Sequence, residues 1–155
     1  MPMVITSHNV YDTQRIAFRL GAAAQPGLVL ALWGDLGAGK TAFTHGLAQG
    51  MGLRDPVSSP TFALIHEYAQ GGRLPLYHFD LYRIQDPLEL EELGVEDYWY
   101  GQGVSVLEWP GCAGEYLPER RVDVTLEAGG GPEERILTLE ASDAELAQWL
   151  KEALA

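Results

Sequence analysis

The stretch from Leu28 to Gly52 limits most tightly how this chain can fold. Six apolar residues, "LVLALW" (Leu28 to Trp33), run without a break into "GDLGAGKT" (Gly34 to Thr41). A continuous apolar run of strand length is what a strand buried on both faces of a parallel sheet requires. "KTAFTHGLAQGMG" then sets Phe43, Leu47 and Met51 at helical spacing and meets Gly50 and Gly52, the residue type that ends helices in left-handed geometry. Strand, glycine turn and helix in that order form a βα unit, which predicts an α/β fold with a mostly parallel central sheet.

The rest of the chain supplies partners for that unit. "MVIT" is β-like, and Val10, Thr13, Ile16, Ala17, Leu20 and Ala24 share one helical face before "QPG" stops the helix. "FALIHEY" and "LPLYHFDLY" read as a hairpin across "AQGGR". "DPLELEELG" has the marks of a helix start and stop, with Asp86 as cap, Pro87 in the first turn, Glu89 in the capping-box position and Gly94 at the end. "GVSVLEW" is a second buried strand, ending at Glu108. "RVDVTLE" and "RILTLEA" alternate about "AGGGPEE" as another antiparallel hairpin, after which Ser142 and Glu145 cap a helix that turns Leu146, Trp149, Leu150 and Leu154 inward. The length, 155 residues, suits one domain spanning 1–155.

Composition narrows the class. An apolar share of 46% with 21% charged residues is globular, and no apolar run approaches the roughly 18 residues of a membrane span. The start of the chain lacks the basic and apolar segments of a secretory signal, and the single cysteine, Cys112, cannot form an internal disulfide. A cytoplasmic protein with no membrane association is expected. The net charge of −12 repels phosphate backbones, so independent nucleic-acid binding is not expected.

The glycines bear on chemistry. Gly34, four residues, Gly39, Lys40 and Thr41 have the spacing of a P-loop, in which backbone N–H groups and the positive end of a helix dipole converge on phosphate oxygens. Gly37 and Gly39 leave room for the anion, Lys40 reaches the β- and γ-phosphates, and the Thr41 hydroxyl can ligate Mg²⁺. Mg²⁺ also calls for a hard carboxylate at a strand end, and Asp80 and Glu108 compete for that role. His78 alternates with Asp80 and reads as a packed, hydrogen-bonded histidine. Ser59 and Thr61 in "SSPTF" suit either a γ-phosphate sensor or a plain turn, and Trp109 suits a core or lid aromatic. The only other lysine is Lys151, so no later lysine motif for guanine is present and ATP is favoured over GTP. The scattered arginines do not form the basic lid of a small-metabolite kinase.

"GDLGAGKT", "SSPTF", "HFDLYR" (His78 to Arg83) and "LEWP" (Leu107 to Pro110), in this order and at these separations, resemble the bacterial TsaE (YjeE) family from about Thr13 to Arg135. The resemblance implies a P-loop NTPase-like three-layer fold. It also implies an ATPase required for N6-threonylcarbamoyladenosine (t6A) at position 37 of tRNAs that read codons beginning with A. Such an ATPase is weak alone, acts on a TsaB–TsaD complex, and meets tRNA only through those partners. By the same resemblance Asp35, Leu36, Gly37, Ala38, Gly39, Lys40 and Thr41 hold the triphosphate, and Thr41 with Glu108 holds Mg²⁺. Asp80 is the second acid, Thr61 lies in a switch segment, Trp109 stands beside the site, and Thr13 and Arg135 lie near the base. The chain departs from the family at Ala42, where a second Thr or Ser is usual. The rival readings are a small-metabolite kinase and a regulatory ATP-binding module without turnover.

Overall fold

The structure is a computed structural model and describes residues 2–57 and 64–155. Its strands are β1 (Met3–Ser7), β2 (Val29–Trp33), β3 (Ile65–Tyr68), β4 (Leu76–Asp80), β5 (Val104–Glu108), β6 (Val122–Ala128) and β7 (Arg135–Ala141). The helices are α1 (Val10–Ala22), α2 (Lys40–Gly50), α3 (Leu88–Leu93), α4 (Val95–Trp99) and α5 (Ala144–Ala153), and Pro110–Tyr116 forms 3₁₀ turns broken at Gly114. All seven strands join one sheet in the order β1-β7-β6-β2-β5-β4-β3. The central strands β6, β2, β5 and β4 are parallel, and the flanking pairs β1–β7, β7–β6 and β4–β3 are antiparallel. This is the expected α/β architecture, with both hairpins present.

β2 is buried on both faces because each face meets its own core. Leu30 and Leu32 pack with Leu20 of α1, Phe43 and Leu47 of α2, and Leu146 of α5. Val29 packs on the other side with Phe79, Leu90, Val95 and Trp99. Each such fully buried apolar side chain contributes about 1.5–3 kcal/mol by leaving water. No helix among the described residues is long and apolar enough to cross a membrane.

α1 and α2 approach so closely that backbone touches backbone. A Cβ added at Gly46 would lie far inside contact with the Gln14 carbonyl oxygen, and one at Gly50 would strike that of Phe18. Gly50 thus belongs to the helix, which continues to it for the sake of this packing, while Gly52, at φ +80°, takes the left-handed turn beyond. Gly46→Ala must push the two helices apart. It is expected to destabilise the fold by about 1–3 kcal/mol or more, read as a lowered urea midpoint at unchanged slope.

Two further local readings need correction. Val10, expected on the inward face of α1, is 49% exposed, because it opens the helix at the rim of a cleft. The cap of α5 is Asp143, whose carboxylate accepts from Leu146 N at 2.8 Å, whereas Ser142 Oγ accepts from Arg121 N and ties the helix lead to β6. α4 follows directly after Gly94, which ends α3 in left-handed geometry as expected. At α1, Asn9 accepts from Asp12 N while the Asp12 carboxylate accepts from His8 N. The His8 bond, with Arg15 beside it, holds the Asp12 carboxyl below its ordinary range.

Candidate nucleotide site

The C-terminal ends of the parallel strands carry the chemistry-bearing side chains, the edge where open α/β sheets place their ligands. β2 ends at Trp33, and the loop to α2 turns through Gly34 (φ +152°), Gly37 (φ +82°) and Gly39 (φ +109°). At Gly34 a Cβ would also lie 2.7 Å from the Leu126 carbonyl oxygen, so only glycine lets the loop pass β6. The cap of α2 is Gly39, which has no side chain with which to cap the helix. A helix that starts behind a glycine loop turns its first N–H groups toward the loop, the geometry that suits an anion.

Lys40 is buried, at 5% exposed, although it opens a helix. Its Nζ donates to the Gly34 carbonyl at 2.9 Å and sits 4.0 Å from the centroid of the Trp109 ring. Trp109 follows β5 at φ 58°, ψ 50°, and is the one non-glycine residue at positive φ among the described residues. That backbone costs about 1–3 kcal/mol, which the surrounding contacts must offset. Here it brings the ring to the ammonium, with the Tyr82 ring 5.0 Å beyond. Lys40's contacts are a hydrogen bond from its ammonium to an uncharged carbonyl, about 1.5–3 kcal/mol, and a cation–π contact of about 0.5–2 kcal/mol. A phosphate would add the attraction of its own negative charge to such a bond, which favours Lys40 moving to an incoming phosphate.

The two acids stand side by side. Asp80 ends β4 directly opposite Glu108 at the end of β5, and Glu108 in turn lies opposite Leu32 of β2. Glu108 is buried, and its Oε2 accepts from His78 Nε2 at 2.5 Å. Asp80 is half-buried and accepts from Tyr82 N at 3.1 Å. His78 is the packed, hydrogen-bonded histidine its position suggested, but its partner is the acid on the next strand. Alternation with Asp80 signals the shared face; nothing local signals the contact.

Two of the clefts that touch the loop have Arg135 in their walls. One, of about 350 Å³, lies between Gly34–Ala38 and Thr125–Ala128 with Arg135 at its side. The other, of about 280 Å³, is lined by Val10, Thr13, Gly37, Gly39, Ala42, Pro132, Glu133 and Arg135. Arg135 donates from Nε to the Ala38 carbonyl at 3.2 Å and from Nη2 to that of Gly37 at 3.4 Å, which fastens the loop to β7. Thr13 is buried, its hydroxyl bonded to Ser7 Oγ at 2.7 Å. Asp35, Leu36 and Thr41 are exposed around the loop. A larger hollow of about 430 Å³, lined by Leu28, Arg120 and Trp149 among others, opens at the opposite sheet edge and contains none of the expected site residues. Ser59 and Thr61 lie outside the described residues.

A family model described as threonylcarbamoyl adenosine biosynthesis protein TsaE matches residues 7–136, a span that includes the loop, both acids, Trp109 and Arg135. The chain belongs to the TsaE family. It is 48% identical over 128 residues to the tRNA threonylcarbamoyladenosine biosynthesis protein TsaE of Bacillus subtilis, covering 83% of this chain and 79% of that one. It is 40% identical to the protein of the same name from Treponema pallidum, covering 80% of this chain and 90% of that one. A crystal structure of Bacillus subtilis YdiB superposes with a TM-score of 0.83 at 37% identity, over 99% of this chain and 94% of the other. The fold is therefore P-loop NTPase-like, and the TsaE family's role lies in the biosynthesis of tRNA threonylcarbamoyladenosine.

Proposed function

We propose that this chain is a Mg²⁺-dependent ATPase that acts on the TsaB–TsaD complex to support threonylcarbamoylation of adenosine 37 in tRNA. One observation carries the reading. A glycine-capped helix start, with a buried lysine folded over its loop, shares a sheet edge with two adjacent carboxylates. Backbone N–H groups from Asp35 to Thr41 would bind the triphosphate, and Lys40 would leave Gly34 and Trp109 for the β- and γ-phosphates. Arg135 would keep the Gly37 and Ala38 carbonyls turned outward, so that the loop need not reorganise as the anion arrives. Thr13 and Arg135, on the cleft beside Gly37 and Gly39, would border the nucleoside.

The donor set suits Mg²⁺. No three His, Cys, Asp or Glu side chains converge among the described residues, and Mg²⁺ is commonly held by one or two carboxylates with phosphate oxygens and water. Glu108 and Thr41 would hold it, and Asp80, half-buried beside Glu108, would orient the attacking water. Bound Mg²⁺ would neutralise charge developing on the phosphate oxygens. The net charge of −12 supports indirect contact with tRNA through the partners.

The test combines phosphate release with association. Purified protein should release phosphate from ATP slowly without any small-molecule acceptor, faster with TsaB–TsaD present, and should not retain tRNA at physiological salt. Calorimetry should show tighter association with TsaB–TsaD in ATP than in ADP. Equal affinity with ATP, ADP and no nucleotide would defeat the nucleotide-switch reading. Turnover that needs an added metabolite would point to a kinase instead.

A further inference from the structure

His78 does more than fill a core position. It is fully buried on β4, on the sheet face that carries Leu76 and Val106, where an apolar side chain would pack without a polar cost. Its Nε2 nonetheless lies 2.5 Å from Glu108 Oε2, and its Nδ1 has no hydrogen-bond partner among the described residues. The imidazole therefore spends its polar capacity on one carboxylate oxygen. A glutamate at a strand end has three rotatable bonds, and anchoring one oxygen restricts where the other can point.

We infer that His78 is a positioning residue. Its Nε2–H holds Oε2 of Glu108, so that the carboxylate offers its remaining oxygen in a fixed place to the cation that accompanies the nucleotide. The inference rests on the reading of Glu108 as a metal ligand, and it assigns to β4 a part in that site beyond Asp80. Outer partners of metal ligands act in this way, orienting the ligand and raising its effective affinity, and their loss typically costs about 10–100-fold in metal affinity. A merely structural histidine would affect folding and leave metal affinity alone.

Three substitutions separate these roles. His78→Gln places an amide nitrogen about as far from the backbone as the imidazole Nε2 and keeps a donor to Glu108. His78→Asn is polar but stops at the reach of Nδ1, and His78→Leu keeps bulk without a donor. Thermal melting establishes that each variant is folded. Mn²⁺ affinity of the ADP complex is then read by electron paramagnetic resonance, alongside the Mg²⁺ concentration giving half-maximal hydrolysis.

His78→Leu and His78→Asn should both weaken Mn²⁺ binding about 10–100-fold and raise the Mg²⁺ requirement in step, while His78→Gln restores most of the loss. If His78→Leu does not fold, the Gln and Asn pair decides by itself. Wild-type Mn²⁺ affinity in His78→Asn, or a Gln variant as weak as the Asn variant, would overturn the inference. Glu108→Gln serves as reference. If it weakens Mn²⁺ binding and His78→Asn does not, the inference about His78 alone fails. If Glu108→Gln leaves Mn²⁺ affinity unchanged, the metal reading of Glu108 fails and the inference falls with it.

Discussion

Lys40→Ala should reduce ATP hydrolysis by about 10²–10³-fold or more, the scale seen when a preorganised donor to developing charge is removed. The side chain is buried at the helix start between the Gly34 carbonyl and the Trp109 ring, and the only other lysine, Lys151, lies in α5. No second ammonium can take its place. Alanine is compatible with the first turn of α2 and leaves one carbonyl to be solvated, a cost of about 1–3 kcal/mol at most, so the fold should survive. Phosphate release measured beside a circular dichroism spectrum checks both halves. Wild-type turnover in a folded Lys40→Ala protein would remove the phosphate-binding role from this loop.

Glu108→Gln should lower metal-dependent hydrolysis by about 10²-fold or more while leaving weak nucleotide binding. The substitution separates position from charge. His78 can still donate to the amide oxygen of glutamine, so the side chain stays where it is while the negative charge that suits Mg²⁺ is lost. Asp80→Asn is the companion measurement. Asp80 is more exposed than Glu108 and already accepts from Tyr82 N, which places it as the outer of the two acids. A larger loss in Asp80→Asn than in Glu108→Gln would exchange their roles.

The local features of the fold could be read from short-range pattern. The apolar run of β2, the glycines at Gly34, Gly37 and Gly39, the Gly94 stop and the alternation of both hairpins each depend on residues within one or two turns or strands of one another. Backbone sterics and hydrophobic periodicity act at that range, so these elements and the loop between β2 and α2 were legible. α4 was not, because five residues directly after a left-handed glycine are too few to show a helical period. The cap at Asp143 was misplaced by one residue because Ser142 and Asp143 are both competent caps. Their assignment depends on Arg121, which lies on a different strand connection and takes the serine.

The site depends on longer range. The spacing of "GDLGAGKT" was enough to place Lys40 at a helix start behind a glycine turn, and the strand ends at Asp80 and Glu108 were apparent from their apolar runs. Only the sheet order, with β5 inserted between β2 and β4, makes those two acids neighbours on the edge where the loop lies. Only packing brings the Trp109 ring to Lys40, the Arg135 guanidinium to the loop carbonyls, and His78 to Glu108 across thirty residues of sequence. Strand pairing and side-chain docking are decided by which surfaces exclude water together. That choice involves the whole chain at once, and no local stretch of sequence contains it.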